Sequence, residues 1–240
     1  MKRRDWETES ENWIRWARAP EHDSYHDYGP LFFDDVVPPP GVRTLDVGCG
    51  EGRITRDLER RGHRVIGVDA SPTLIAAAGE AGPGPFVVAD AAALPFAESS
   101  FDVAVAYNVL MDLDDLGTSL REVARVLTPG GRFATCVLHP MAEAGNFESR
   151  EPDAQFVMDG SYFEQREYKD TFSRDGLTMT FSSSHYPLED YFAAFGSASL
   201  LIESLQEPKA PDRTIERDPG ETRWARVPLF LFMRAIKVSA

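Results

Sequence analysis

Apolar positions along this chain come in short runs, with amphipathic stretches between them. The runs at 44–47, 65–68, 86–89, 101–106, 132–138, 200–205 and 229–236 have the length of strands. Several of them lack the alternation of a sheet with one wet face, which fits strands buried on both sides. Helical spacing fills the gaps. Ile54 and Leu58 stand four apart among charged residues, and Leu116, Leu120, Val123, Ala124 and Leu127 share one face. Ser71 and Pro72 read as the cap and first residue of a helix over 73–81. A further helix is expected over 189–195. Strands alternating with helices at short spacing predict a doubly wound α/β sheet.

Three segments break the alternation. In residues 1–40, Trp13 and Trp16 with Ile14 and Ala17 predict a short helix, and Pro38-Pro39-Pro40 closes the segment. Within 141–186, residues 162–168 and 177–181 alternate apolar and polar about Ser173-Arg174-Asp175-Gly176, which predicts a β-hairpin. Residues 207–228, rich in proline and charge, read as a surface loop.

The chemistry concentrates where the first strand ends. Thr44–Arg53 reads Thr-Leu-Asp-Val-Gly-Cys-Gly-Glu-Gly-Arg, an apolar run, glycines at 48, 50 and 52, then a helix start. Such a turn lets a ligand lie on the backbone and offers it free N–H groups. Asp69 closes the second strand roughly 20 residues beyond that turn, where a carboxylate can accept both hydroxyls of a ribose. Asp90 closes the third strand, and Tyr107-Asn108 lies just past the fourth. His139-Pro140 follows the fifth, and a histidine there is a candidate general base.

Strand–glycine turn–helix alone also binds NAD, FAD and phosphates. Here the spacing is Gly-x-Gly-x-Gly after Asp46, and Leu127-Thr128-Pro129-Gly130-Gly131 precedes the fifth strand. Together these motifs resemble the class I S-adenosylmethionine-dependent methyltransferases, in the branch called methyltransferase type 11. The resemblance runs from about Val42 to Lys237 and departs at Gly196-Ser197, where many relatives have Gly-Phe before strand six. It implies one domain over 1–240. That domain is a seven-stranded Rossmann-like sheet whose seventh strand runs antiparallel between the fifth and sixth. Residues 1–40 would be an N-terminal helical lid, 41–138 the cofactor-binding core, 141–186 a β-hairpin substrate cap and 187–240 the rest of the core.

The resemblance also implies S-adenosylmethionine as cofactor, with S-adenosylhomocysteine as product. Cofactor contacts fall at Asp46, Gly48, Cys49, Gly50, Asp69, Ala70, Asp90, Ala91 and Asn108, where Asp90 pairs with the adenine amine and Ala91 offers its N–H to the ring. Acceptor contacts are expected at Tyr25 and Tyr28 in the lid and at His185, with His139 as the first candidate for the catalytic base and His185 as the second.

Composition narrows the acceptor. A net charge of −14 argues against nucleic acid, whose binders carry a basic footprint. The two cysteines, Cys49 and Cys136, lie far apart without metal-ligand spacing, which points to a reducing compartment and to no bound metal. No apolar run spans a bilayer, and no apolar core follows the basic start, so a cytoplasmic protein without membrane contact is expected. The expected activity is methyl transfer to an oxygen or nitrogen of a small-molecule metabolite, by a monomer or homodimer. A non-catalytic S-adenosylmethionine-binding module, an NAD(P)-dependent oxidoreductase and an RNA methyltransferase are the rival readings.

Overall fold

The computed structural model describes residues 2–82 and 84–238. Met1, Pro83, Ser239 and Ala240, which include both ends of the expected 1–240 domain, lie outside the described residues. Two helices come first, α1 (Lys2–Arg18) and α2 (Tyr25–Asp35). The core then alternates through β1 (Arg43–Val47), α3 (Arg53–Arg60), β2 (Arg64–Asp69), α4 (Pro72–Ala81), β3 (Phe86–Val88), β4 (Phe101–Tyr107), α5 (Leu116–Val126) and β5 (Leu127–Leu138). An insertion follows: the single turn α6 (Pro140–Glu143), the strand pair β6 (Gly145–Phe147) and β7 (Phe156–Met158), and the hairpin β8 (Arg166–Arg174) and β9 (Leu177–His185). The chain closes with α7 (Leu188–Ser197), β10 (Leu200–Gln206), α8 (Asp212–Arg217) and β11 (Phe230–Lys237).

Seven strands form one sheet in the order β10-β11-β5-β4-β1-β2-β3. β1 pairs parallel with β2 and β4, and β4 with β5, whereas β11 runs antiparallel between β5 and β10. Successive residues of a strand face opposite sides of the sheet, and β4 shows both cores at once. Ala104 and Ala106 join Leu120, Val123, Phe133, Tyr191 and Phe195 under α5 and α7. Val103, Val105 and Tyr107 join Tyr28, Phe32, Leu58, Phe230 and Phe232 under α2 and α3. This two-sided burial is why the central strands show no wet face.

Several boundaries differ from expectation for identifiable reasons. The first helix spans 17 residues, because its apolar face is completed by a partner distant in sequence. Trp6, Trp13 and Trp16 meet Phe181 of β9 edge-on, at centroid distances of 6.3, 6.2 and 6.2 Å. α2 carries Pro30 inside it. Proline has no N–H for the carbonyl four residues back, and here Arg213 Nη2 donates to that His26 oxygen at 3.0 Å.

The hairpin turns at Asp175-Gly176, both at positive φ (51° and 77°), as a two-residue turn requires. β8 begins at Arg166, four residues later than its alternation suggests, where its pairing with β9 ends at His185. The expected loop 207–228 holds α8 and a 3-10 turn at Pro219–Ala225. Arg217 ties α8 to Asp27 at 2.6 Å, an ion pair invisible to local pattern.

Candidate functional site

The glycine turn is shaped by what presses on it. Gly48, Gly50 and Gly52 all take positive φ. A Cβ on Gly48 would stand 2.6 Å from both methyls of Val109, and one on Gly50 3.2 Å from Trp13 Nε1. Glycine is thus required at 48 by sterics and at 50 by close approach of the lid. Cys49 N donates to Val68 O at 2.9 Å, which fixes the turn against β2.

Asp69 sits at the junction of the turn and the next helix. Its Oδ2 accepts from Gly50 N at 2.9 Å and its Oδ1 from Ser71 N at 2.8 Å. Desolvation raises its pKa, and the N–H groups of Ser71, Gly50 and Ala70 oppose that rise. Asp90 is held in the same manner, its Oδ1 accepting from Ala92 N at 2.9 Å.

These groups border a cavity of about 780 Å³, a size typical of small-ligand sites. Its floor is the carboxyl ends of the strands, with Gly48, Cys49, Gly50, Asp69, Ala70, Asp90, Ala91 and Asn108 on the wall. α1 contributes Trp6, Trp13 and Trp16. The hairpin contributes Tyr168, Asp170, Phe172, Phe181 and Ser183. α1 is latched over the opening: Ser71 Oγ and Thr73 Oγ1 donate to Glu7, and Arg18 Nε donates to Glu51 at 3.1 Å.

Five expected site residues are not on this wall. Asp46 lies behind the glycine turn, where Thr55 Oγ1 donates to it at 2.6 Å. Burial, with the Asp69 charge adding and the Thr55 contacts opposing, pushes its pKa up to about 7. Tyr25 gives its hydroxyl to Asp57 and stacks against the Arg53 guanidinium, 4.3 Å from its ring centre. Tyr28 is buried against Phe230 at 4.9 Å, in the core under α2.

His139 caps α6: its Nδ1 accepts from Met141 N at 3.0 Å and its Nε2 faces Glu207 Oε1 at 2.9 Å. Both ring nitrogens are engaged, and burial lowers its pKa. His185 is fully buried behind the hairpin. A histidine at a strand end can cap or catalyse with equal ease, and only the fold distinguishes the two.

Other wall residues were not anticipated as site residues. Trp13 and Trp16 of the expected short helix pack against Phe181 and also face the cavity. Trp6, Arg53, Asp112 and Tyr168 join them. For Asp112 the signal was its place just past β4; for Tyr168 it was the alternation of the hairpin.

Residues 45–135 match the family model described as a methyltransferase domain. Among curated relatives, a demethylmenaquinone methyltransferase of Corynebacterium kroppenstedtii is 38% identical over 99 residues, covering 41% of this chain and 43% of that protein. The O-methyltransferase resE of Aspergillus sclerotiorum is 37% identical over 117 residues, covering 45% and 44%. The chain thus matches less than half the length of these relatives. A solved S-adenosylmethionine-dependent methyltransferase from Mesorhizobium loti superposes with a TM-score of 0.73 at 24% identity, covering 87% of this chain and 97% of that one. The fold is that of the class I S-adenosylmethionine-dependent methyltransferases. Within it, the match to the methyltransferase domain model is confined to residues 45–135, and the lid and hairpin lie outside that match.

Proposed function

We propose that the chain is an S-adenosylmethionine-dependent methyltransferase that transfers a methyl group to an oxygen or nitrogen of a small molecule. The observation that carries the reading is Asp69, a carboxylate fixed by two backbone N–H groups at the cavity wall between the glycine turn and α4. The pocket suits the cofactor on its own chemistry. Gly50 brings its bare backbone to the cavity wall under Trp13, Asp69 keeps lone pairs for a ribose diol, and Asp90 can accept from an adenine amine.

When bound, the cofactor supplies an electrophilic methyl group on a sulfonium, so the reaction needs no enzyme nucleophile. The protein's part is orientation. The strand ends hold one reactant, the lid and hairpin enclose the other, and together they exclude water. Such positioning is worth up to about 7–11 kcal/mol of barrier. One domain over 1–240, with 1–40 as lid and 141–186 as cap, is the organisation this reading uses. A cytoplasmic monomer or homodimer without nucleic-acid partners completes it. Among the described residues no helix is long and apolar enough to cross a membrane.

Isothermal titration with S-adenosylmethionine and S-adenosylhomocysteine tests the reading. Micromolar binding that Asp69→Ala abolishes is the expected result. No binding by the wild-type chain, or equal binding by the variant, overturns it. Micromolar binding of NAD or NADP instead would favour the oxidoreductase reading.

A further inference from the structure

One face of the hairpin roofs the cavity, and it is chemically graded. Cross-strand partners share a face, so the pairs Phe172↔Met179, Asp170↔Phe181, Tyr168↔Ser183 and Arg166↔His185 run in that order from the lid toward the protein interior. The outer end holds Phe172 and Phe181, which meet each other at 5.9 Å, with the Asp170 carboxylate opposite Phe181. About 7 Å along the strand, two residues at roughly 3.4 Å each, the face turns polar. There Ser183 Oγ donates to Asp112 at 2.6 Å, and Tyr168 reaches into the cavity.

Behind Tyr168 lies a buried pair. The Tyr168 hydroxyl donates to Glu143 Oε1 at 2.6 Å. Glu143 Oε2 stands 3.5 Å from His185 Nδ1, with the two side chains only 2% and 0% exposed. Among the described residues, neither of those facing atoms has another hydrogen-bond partner. The opposite ring nitrogen, His185 Nε2, lies 2.8 Å from the Tyr162 carbonyl, which can only accept, so Nε2 carries a proton. A neutral ring would then aim the Nδ1 lone pair at a carboxylate oxygen. Two buried acceptors facing each other are unfavourable unless a proton lies between them. The pair therefore holds one proton, while Glu143 Oε1 stays a carboxylate oxygen toward Tyr168.

We propose that Tyr168, Glu143 and His185 form a proton relay that takes the hydroxyl proton of a phenolic acceptor lying against Phe172 and Phe181. The proposal rests on the methyltransferase reading and names the substrate class of that site. The acceptor O–H bond breaks and its proton joins the Tyr168 oxygen. The Tyr168 proton passes to Glu143 Oε1. The buried pair gains one positive charge, the acceptor becomes a phenolate, and its oxygen lone pair is free for attack. Tyr168 is the catalytic residue, and Glu143 and His185 are positioning residues. A phenol, with a pKa of about 10, gives up its proton far more readily than an aliphatic alcohol.

The surroundings suit a group poised between charge states. Burial raises the pKa of Glu143, opposed by His185, Tyr168 and Arg166. Burial works against a charged His185 ring, yet Glu143 and the Tyr162 carbonyl outweigh it and raise its pKa. Arg166 on β8 donates to the Glu143 carbonyl at 2.6 Å. Tyr191 on α7 and Asp112 past β4 also face the cluster.

The test uses 4-nitrophenol, whose phenol and phenolate absorb at different wavelengths. Bound to the wild-type protein, its ionisation midpoint should fall about one pH unit below that of the free probe, a ten-fold rise in ionisation constant. Tyr168→Phe and Glu143→Gln should return the midpoint to the free value while keeping S-adenosylhomocysteine binding. A merely structural role would weaken binding without moving the midpoint. Should Glu143→Gln fail to fold, Tyr168→Phe, which leaves the buried pair intact, decides alone. An unmoved wild-type midpoint, an equal midpoint in Tyr168→Phe, or no binding of the probe at millimolar concentration overturns the proposal. Failure of wild-type protein to bind S-adenosylhomocysteine would overturn the methyltransferase reading instead, and the probe titration would still report on the relay.

Discussion

Replacing Asp46 by asparagine should stabilise the protein, by an amount that grows from about pH 4 to about pH 7 and is constant above that. Asp46 is buried behind the glycine turn and its pKa is pushed up to about 7 from an ordinary value of 3.8. The fold therefore prefers the protonated form. Below pH 3.8 the folded and unfolded chains both carry that proton, and the preference has no consequence. As pH rises, the unfolded chain ionises first and gains stability, so a penalty on folding grows until pH reaches about 7, then stays constant. A gap of about three pH units at about 1.36 kcal/mol each gives up to about 4 kcal/mol. The Asp46→Asn variant has no proton to lose at this position, and its amide oxygen still accepts from Thr55 Oγ1. Thermal or urea unfolding of both proteins between pH 4 and 8 measures the difference. At about 2–4 °C per kcal/mol, the gap in Tm should widen by roughly 10 °C across that interval. A difference that stays flat from pH 4 to 8, or that favours the wild type as pH rises, refutes the reasoning.

Gly48→Ala should lower stability by about 2–4 kcal/mol, from the positive φ and the clash with the Val109 methyls, read as a fall in urea midpoint. Val109→Ala in the same chain should recover the steric part, and a double-mutant cycle without coupling would contradict the contact. Glu7→Gln should loosen α1 from Ser71 and Thr73, raising amide exchange across residues 2–18 while β1 and β4 stay protected. The hydrogen bond from Ser71 leads those that lower the Glu7 pKa despite burial. The latch is therefore complete above the ordinary carboxylate range and is lost as pH falls below about 4, so acid should loosen wild-type α1 in the same way.

The sheet was legible because its signals are local. Buried strands announce themselves as apolar runs, and the glycine turn, Asp69 and Asp90 lie within a few residues of the strand ends that position them. The hairpin and lid were legible as elements and not as a wall. Tyr168 and Phe181 acquire a shared face only once β8 and β9 pair, and Trp6 gains its meaning from Phe181, far along the chain. The partners of the two histidines were hidden for a related reason. His139 and His185 stand at strand ends where a base would serve, and what faces them, Glu207 and Glu143, is brought there by a course of the chain that no local spacing encodes. Asp46 lies within the same motif, one layer behind the cavity wall.

The Arg213 contact with α2 has a consequence for the order in which the molecule is built. The carbonyl that Pro30 leaves without a donor waits for a side chain 187 residues further on. Asp27, the next residue, waits for Arg217. A contact spanning most of the chain carries a large loop-closure cost and forms late. α2, made before the sheet, is thus among the last elements to reach its final stability, and β1–β5 can assemble before it is locked down. Folding from the ribosome would then close at α2, when α8 emerges and docks.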